Sequence, residues 1–200
     1  MARTGRRPGG ADTREAILTA ARQAFAERGY DGASIRHIAT SAGVDPALVH
    51  HYFGAKDQLF LAAMEAPVDP ATLIPQVVAG GVDGMGERLV RMFLSVWDSP
   101  AGRTAAALLR SAVSHDWSAR MLREFLTTQV LRRAMKDLQL DPAEAPLRAS
   151  LIASQMMGLA MARYIVRFEP LASAAPETVV AAIAPTIQRY LTGPLSSSGP

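Results

Sequence analysis

The stretch Ser34–Phe60, SIRHIATSAGVDPALVHHYFGAKDQLF, decides how the rest of this 200-residue chain is read. Ser34 stands where a hydroxyl caps a short helix whose Ile35, Ile38, Ala39 and Ala42 face inward. Gly43 supplies the positive-φ residue that a tight turn needs. Asp45-Pro46 then opens a second short helix, with a capping carboxylate followed by proline at the first helical position. Its apolar positions are Leu48, Val49 and Phe53, and Gly54 ends it. A further helix starts near Lys56 and runs through Leu59, Phe60 and Met64 to about Ala66, where APVDP stops it. Two of the chain's four histidines, His50 and His51, sit side by side in the middle of this stretch. A metal site, a packed core and a surface facing nucleic acid are all open readings of that pair.

Upstream, Asp12 is placed to cap a longer helix, with Glu15 in the reciprocal third position. Ile17, Leu18, Ala21, Ala24 and Phe25 share one face, and Arg28-Gly29 closes it. Two short helices joined by a glycine turn and braced by a longer one form a helix-turn-helix, whose second helix enters a major groove. With Leu48, Val49 and Phe53 given to the core, Pro46, Ala47, His50 and His51 remain outside. Small residues allow close approach to base edges, and a histidine can donate to a base or a phosphate. Ser34, Tyr52 and Lys56 surround that helix as phosphate-type donors, two of them at helix starts where the dipole favours anions. Arg36 reaches a phosphate or a guanine. Adjacent histidines point apart on a helix, so His50 and His51 hold a metal only if His37 joins them.

Composition narrows the classes. Hydrophobic residues make up 49% and charged residues 20%, which is globular rather than disordered. The absence of cysteine excludes disulfides, thiolate nucleophiles and thiolate metal sites. MARTGRRPGGADTR lacks the apolar run of a secretory signal, and Ala149–Ala162 is shorter than the ~20 apolar residues of a membrane span, so a cytoplasmic protein is expected. The net charge of +3 is carried up to Lys56, where eight cations face five anions; the remainder is neutral. A basic N-terminal quarter hints at a polyanion partner.

The run TREAILTAARQAFAERGYDGASIRHIATSAGVDPALVHHYFGAKDQLF resembles the DNA-binding domain of the tetracycline-repressor (TetR) family of bacterial transcriptional regulators. The resemblance covers about a quarter of the chain and rests on AARQAFAERGYDGASIRHIA, AGVDPALVHHYF and KDQLF. It implies an all-α protein: an N-terminal three-helix helix-turn-helix DNA-binding domain plus a C-terminal helical ligand-binding and dimerisation domain. It also implies a homodimer on a palindromic operator of double-stranded DNA, repressing until a small-molecule effector binds, with no cofactor. By position, Ser34, Arg36, Asp45, Pro46, Ala47, His50, His51, Tyr52 and Lys56 fall where members commonly contact DNA. The chain departs from the pattern at His50, often tyrosine, and at Ala55, where a Ser or Asn cap is frequent; the latter weakens the next helix by ~1 kcal/mol.

We expect a basic tail over 1–10, the DNA-binding domain over 11–66, an effector-binding and dimerisation domain over 67–193, and a tail over 194–200. Helical pattern continues at about 71–79, 84–98, 101–114, 118–138, 143–168 and 176–192, with no period-two alternation. The small residues of PLRASLIASQMMGLAMARYIV allow close helix packing. The resemblance implies that the last two helices pair across a twofold, with Leu151, Gly158, Ala162, Ile183 and Ile187 at the interface. It further implies a cavity among the middle helices, and Trp97, Trp117, Met121 and Phe125 are the candidate lining; ordinary core packing is the alternative for each. No HExxH, GxSxG or P-loop is present, so an enzyme is not expected. The competing reading is a helical small-molecule-binding dimer that does not read DNA, which has no need of the Ser34–Tyr52–Lys56 ring.

Overall fold

The computed structural model describes residues 10–137, 141 and 143–195. The expected tails, apart from Gly10, Pro194 and Leu195, lie outside the described residues, as does Pro142. Every regular element among those described is helical. In chain order they are α1 (Gly10–Gly32), α2 (Ile35–Ala42), α3 (Pro46–Phe53), α4 (Lys56–Ala63), α5 (Pro70–Val78), α6 (Met85–Trp97) and α7 (Ala101–Ser114). A long rod follows: α8 (Asp116–Glu124), a wide π-type segment π1 (Phe125–Leu131) and α9 (Arg132–Asp137). Then come α10 (Ala145–Ala160), a second wide segment π2 (Met161–Val166) and α11 (Pro176–Thr192).

The local signals act largely as read. Ser34 Oγ accepts the His37 N–H at 3.1 Å, Asp45 Oδ1 accepts the Ala47 N–H at 2.7 Å, and Gly43 turns the chain at φ 68°. Asp12 is the exception: α1 begins at Gly10, so Asp12 lies inside the first turn, and Glu15 pairs with Arg22 instead of closing a capping box. Leu48 also departs from expectation. It is 39% exposed, because Val49 and Phe53 alone fill the inward stripe of so short a helix.

The head, α1–α4, closes over Ile17, Leu18, Phe25, Ile38, Val49, Leu59 and Phe60, with Phe25 and Phe60 edge to face at 4.9 Å. Its core does not end at α4. Met121 and Phe125 from the rod complete it, so head and body share apolar contacts. A second core lies between α6 and α11, built on Val90, Leu94, Val179, Val180, Ile187 and Leu191. The Gly86 N–H donates to Gln188 Oε1 at 3.0 Å across that pair.

α10 and π2 together span Ala145–Val166, 22 residues long and apolar enough by length and composition to cross a bilayer. The helix lies within the expected 143–168, but its apolar stretch is longer than the Ala149–Ala162 run singled out from sequence. Only 17% of its most apolar window is buried inside the chain. Arg148 and Arg163 lie within it, both buried.

Candidate nucleic-acid interface and effector cavity

The outer face of α3 presents Ala47, His50 and His51 exposed, with Pro46 and Tyr52 half-buried. Asp45 is engaged as the cap of α3, so its carboxylate sets the start of the helix. The Ser34 hydroxyl accepts as a cap through its oxygen and keeps its own hydrogen available. His50 Nδ1 lies 2.7 Å from the carbonyl oxygen of Gly54. A carbonyl only accepts, so Nδ1 carries the proton and, in the neutral ring, Nε2 is left as an acceptor. His51 packs edge-on to Tyr52 at 5.4 Å. Among the described residues, no three His, Asp or Glu side chains gather as a metal site requires.

Arg36 is exposed and has no ion-pair partner among the described residues. Lys56, in the first turn of α4, rests 4.6 Å over the Tyr30 ring with Nζ 3.5 Å from the Asp31 carbonyl oxygen. Ala55 leaves α4 without a side-chain cap.

Behind this face, the rod grips the corner Gly29–Asp31. Glu124 accepts the Tyr30 N–H at 2.9 Å. Arg132 forks onto the Asp31 carboxylate at 2.8 and 3.1 Å. The Arg132 guanidinium holds the Asp31 carboxyl below the usual carboxylate range. Asp57 takes both the Tyr30 hydroxyl and the Arg133 guanidinium, and Arg133 also donates to Gln129 Oε1 at 3.0 Å. Burial, reinforced by the Asp57 carboxylate, pushes the Tyr30 phenol up to about 12. None of these junction residues was singled out from sequence. They are ordinary helix-surface charges until tertiary packing sets the rod against the corner.

On its other side the rod walls a cavity of about 320 Å³ lined from α5, α6, α7, π1 and α10. Of the four candidate lining residues, Trp97 and Phe125 line it. Trp117 and Met121 do not. They line a smaller cleft under the head with Arg22, Ser111 and Ser118, because their turns of the rod face α1 and α7. The lining residues missed by the sequence reading include Leu73, Leu89, Met92, Leu109 and Met156, whose spacing is that of any core helix. At the expected interface, Leu151 and Ala162 are half-buried and Gly158 is exposed, with open space where a Cβ would lie. Ile183 is half-buried against the α6–α11 core, and Ile187 is fully buried in it, so Ile187 supports the outer face from within.

A helix-turn-helix head mounted on a helical body is the architecture of a class of DNA-binding regulators. The sequence agrees with that class at both ends. The pattern described as "Bacterial regulatory proteins, tetR family" matches residues 17–63, and "Tetracyclin repressor-like, C-terminal domain" matches residues 83–191. The chain belongs to the TetR family, whose members are regulators rather than enzymes.

Among its relatives, the transcriptional repressor AcnR of Corynebacterium efficiens is 38% identical over 79 residues, 40% of each chain. The transcriptional regulator BetI of Brucella anthropi is 47% identical over 51 residues, 26% of each. The matched segments thus span 40% or less of these relatives' own length. A crystal structure of a TetR-family regulator from Streptomyces coelicolor A3 is 43% identical, covering 94% of this chain and 98% of that one, with a TM-score of 0.47.

Proposed function

We propose that this chain is a dimeric DNA-binding transcriptional regulator, a repressor released from a palindromic operator by a small molecule held in the body cavity. The observation that carries the reading is the outer face of α3. Ala47, His50 and His51 stand free to meet base edges, and Ser34, Arg36, Tyr52 and Lys56 surround them as phosphate donors. Asp45 and Pro46 preset the start of that helix rather than read sequence.

The exposed apolar side of α10 supports pairing with a second copy. Leu147, Met157 and Gly158 are exposed along a strip that includes the half-buried Leu151, and Ala181, Ala182 and Pro185 of α11 are exposed as well. A twofold pairing there turns two heads toward one duplex, which makes the operator palindromic.

Release follows from the rod. Phe125, Leu126 and Val130 face the cavity, while Glu124, Arg132 and Arg133 of the same rod hold the head. A ligand that binds better when π1 is displaced biases the heads away from their DNA-bound spacing, and only that difference in affinity releases DNA. π-type turns recur at such functional segments.

The test is selection of bound duplexes from a random pool at two salt concentrations. Enrichment of a palindrome, with affinity falling steeply as salt rises, is the expected result. Salt-sensitive binding without an enriched site leaves a basic head with no code. No binding at either salt moves the reading to a ligand-binding dimer.

A further inference from the structure

Resting on the effector reading above, we infer that the cavity takes an uncharged lipophilic molecule carrying at most one polar group, and that it excludes anions. The wall is carbon and sulfur almost throughout: Phe93, Trp97 and Phe125 supply rings, and Met64, Met92 and Met156 supply flexible thioethers. Methionine-rich walls adapt to the outline of a hydrocarbon occupant. At ~30 Å³ per water molecule, the volume of about 320 Å³ equals roughly ten waters, the room of a small ring system or a short chain.

Arg148 is the one charged residue in the lining among the described residues, and it does not make the cavity an anion site. Its Nε and Nη2 donate to Glu144 Oε2 at 3.1 and 2.6 Å, and its Nη1 donates to the Tyr190 carbonyl oxygen at 2.8 Å. Each guanidinium nitrogen therefore already donates within the chain, and Glu144 neutralises the charge. The donor to Tyr190 holds α10 against the last turn of α11, which gives the arginine a structural task. An anionic occupant would have to compete with the Glu144 carboxylate for the single positive charge or enter unpaired, and an unpaired buried charge is strongly disfavoured. Sugars, nucleotides and amino acids fail for the same reason, each bringing several polar groups that the wall cannot satisfy.

The experiment compares two probes with one skeleton: neutral N-phenyl-1-naphthylamine and its sulfonate relative 1-anilinonaphthalene-8-sulfonate. Each is titrated by fluorescence against the full chain carrying Trp117→Phe. That substitution leaves Trp97, in the cavity wall, as the sole tryptophan and energy donor. Two filling variants on different helices of the wall, Ala105→Phe in α7 and Ala153→Phe in α10, are titrated alongside after a check of helical content. The neutral probe is expected to bind at least tenfold more tightly than the sulfonate, to receive energy from Trp97, and to lose at least tenfold in affinity in whichever filling variant folds.

Equal or tighter sulfonate binding that the filling variants abolish overturns the inference. So does absence of binding by either probe, or neutral-probe binding that neither variant weakens, which would place it on the exposed α10 face. Release of operator DNA is measured separately. Cavity binding of the neutral probe with no effect on DNA leaves the ligand class standing and counts against the effector reading alone.

Discussion

Gly29→Ala tests the junction between head and body. Gly29 has φ 69° and ψ 176°, a backbone region that is essentially glycine-only and costs a side-chain-bearing residue about 1–3 kcal/mol. A Cβ there would also stand 3.3 Å from Glu124 Oε1 and 3.4 Å from Oε2. The carboxylate cannot withdraw freely, because it holds the Tyr30 N–H at 2.9 Å. Losing that charge-assisted bond at a half-buried site costs about 1 kcal/mol, the low end for such bonds. The reduced freedom of alanine in the unfolded chain returns about 0.5–1 kcal/mol. The net is a loss of about 1–3.5 kcal/mol, which lowers Tm by roughly 2–14 °C for a domain of this size. Glu124→Ala alone is expected to lose about 1 kcal/mol. The double variant should lose less than the sum, since the new methyl no longer meets a carboxylate. The assay is thermal unfolding by circular dichroism at one protein concentration, because Tm of an oligomer depends on it. An unchanged or raised Tm for Gly29→Ala, or full additivity in the double variant, would refute this account of the junction.

Further outcomes follow from single sites. Ala55→Ser supplies the missing cap of α4 at a position that already has the extended backbone of a cap (φ −92°, ψ 162°), and should raise stability by ~1 kcal/mol, read as a higher Tm. Lys56→Ala should weaken binding to all duplexes alike and reduce the salt slope by about one, whereas His50→Ala should change the preferred sequence; reversed effects in a binding series would break the assignment of roles. The Tyr30 phenol is raised in the folded state, so the folded chain holds that proton more tightly than the unfolded chain does. Stability is therefore full below pH 10 and falls as pH rises from 10 toward about 12. Denaturant midpoints across that window should fall less steeply in Tyr30→Phe, and an unaltered slope would show that this group is not responsible.

The head was largely legible before any coordinates. Its caps, its turn glycine and its apolar spacing are local signals, satisfied by residues at most four positions apart. Ser34, Gly43 and Asp45 each do in the structure what their chemistry demands of any helix end. The count of inward positions was overread at Leu48, where periodicity alone cannot say how wide a neighbour's face is. In the body, sequence spacing located the helices but not their partners. Trp97 and Trp117 look alike in a pattern, yet one faces the cavity and the other the head, because the rod's rotation is set by packing against α1 and α7.

Sequence by itself determined the helices, the position of the turn in the head and the residues left outside the core on α3, since backbone hydrogen bonds and capping are settled within a turn or two of chain. Only the tertiary structure decided that Glu124 and Arg132 hold a corner some hundred residues upstream, that Arg133 reaches Asp57 of α4, and that Ile187 looks inward. It alone decided that Arg148 is neutralised where it meets the cavity. Those outcomes depend on which helix faces meet, and that is fixed by the burial of apolar surface summed over the whole chain rather than by any local run of residues.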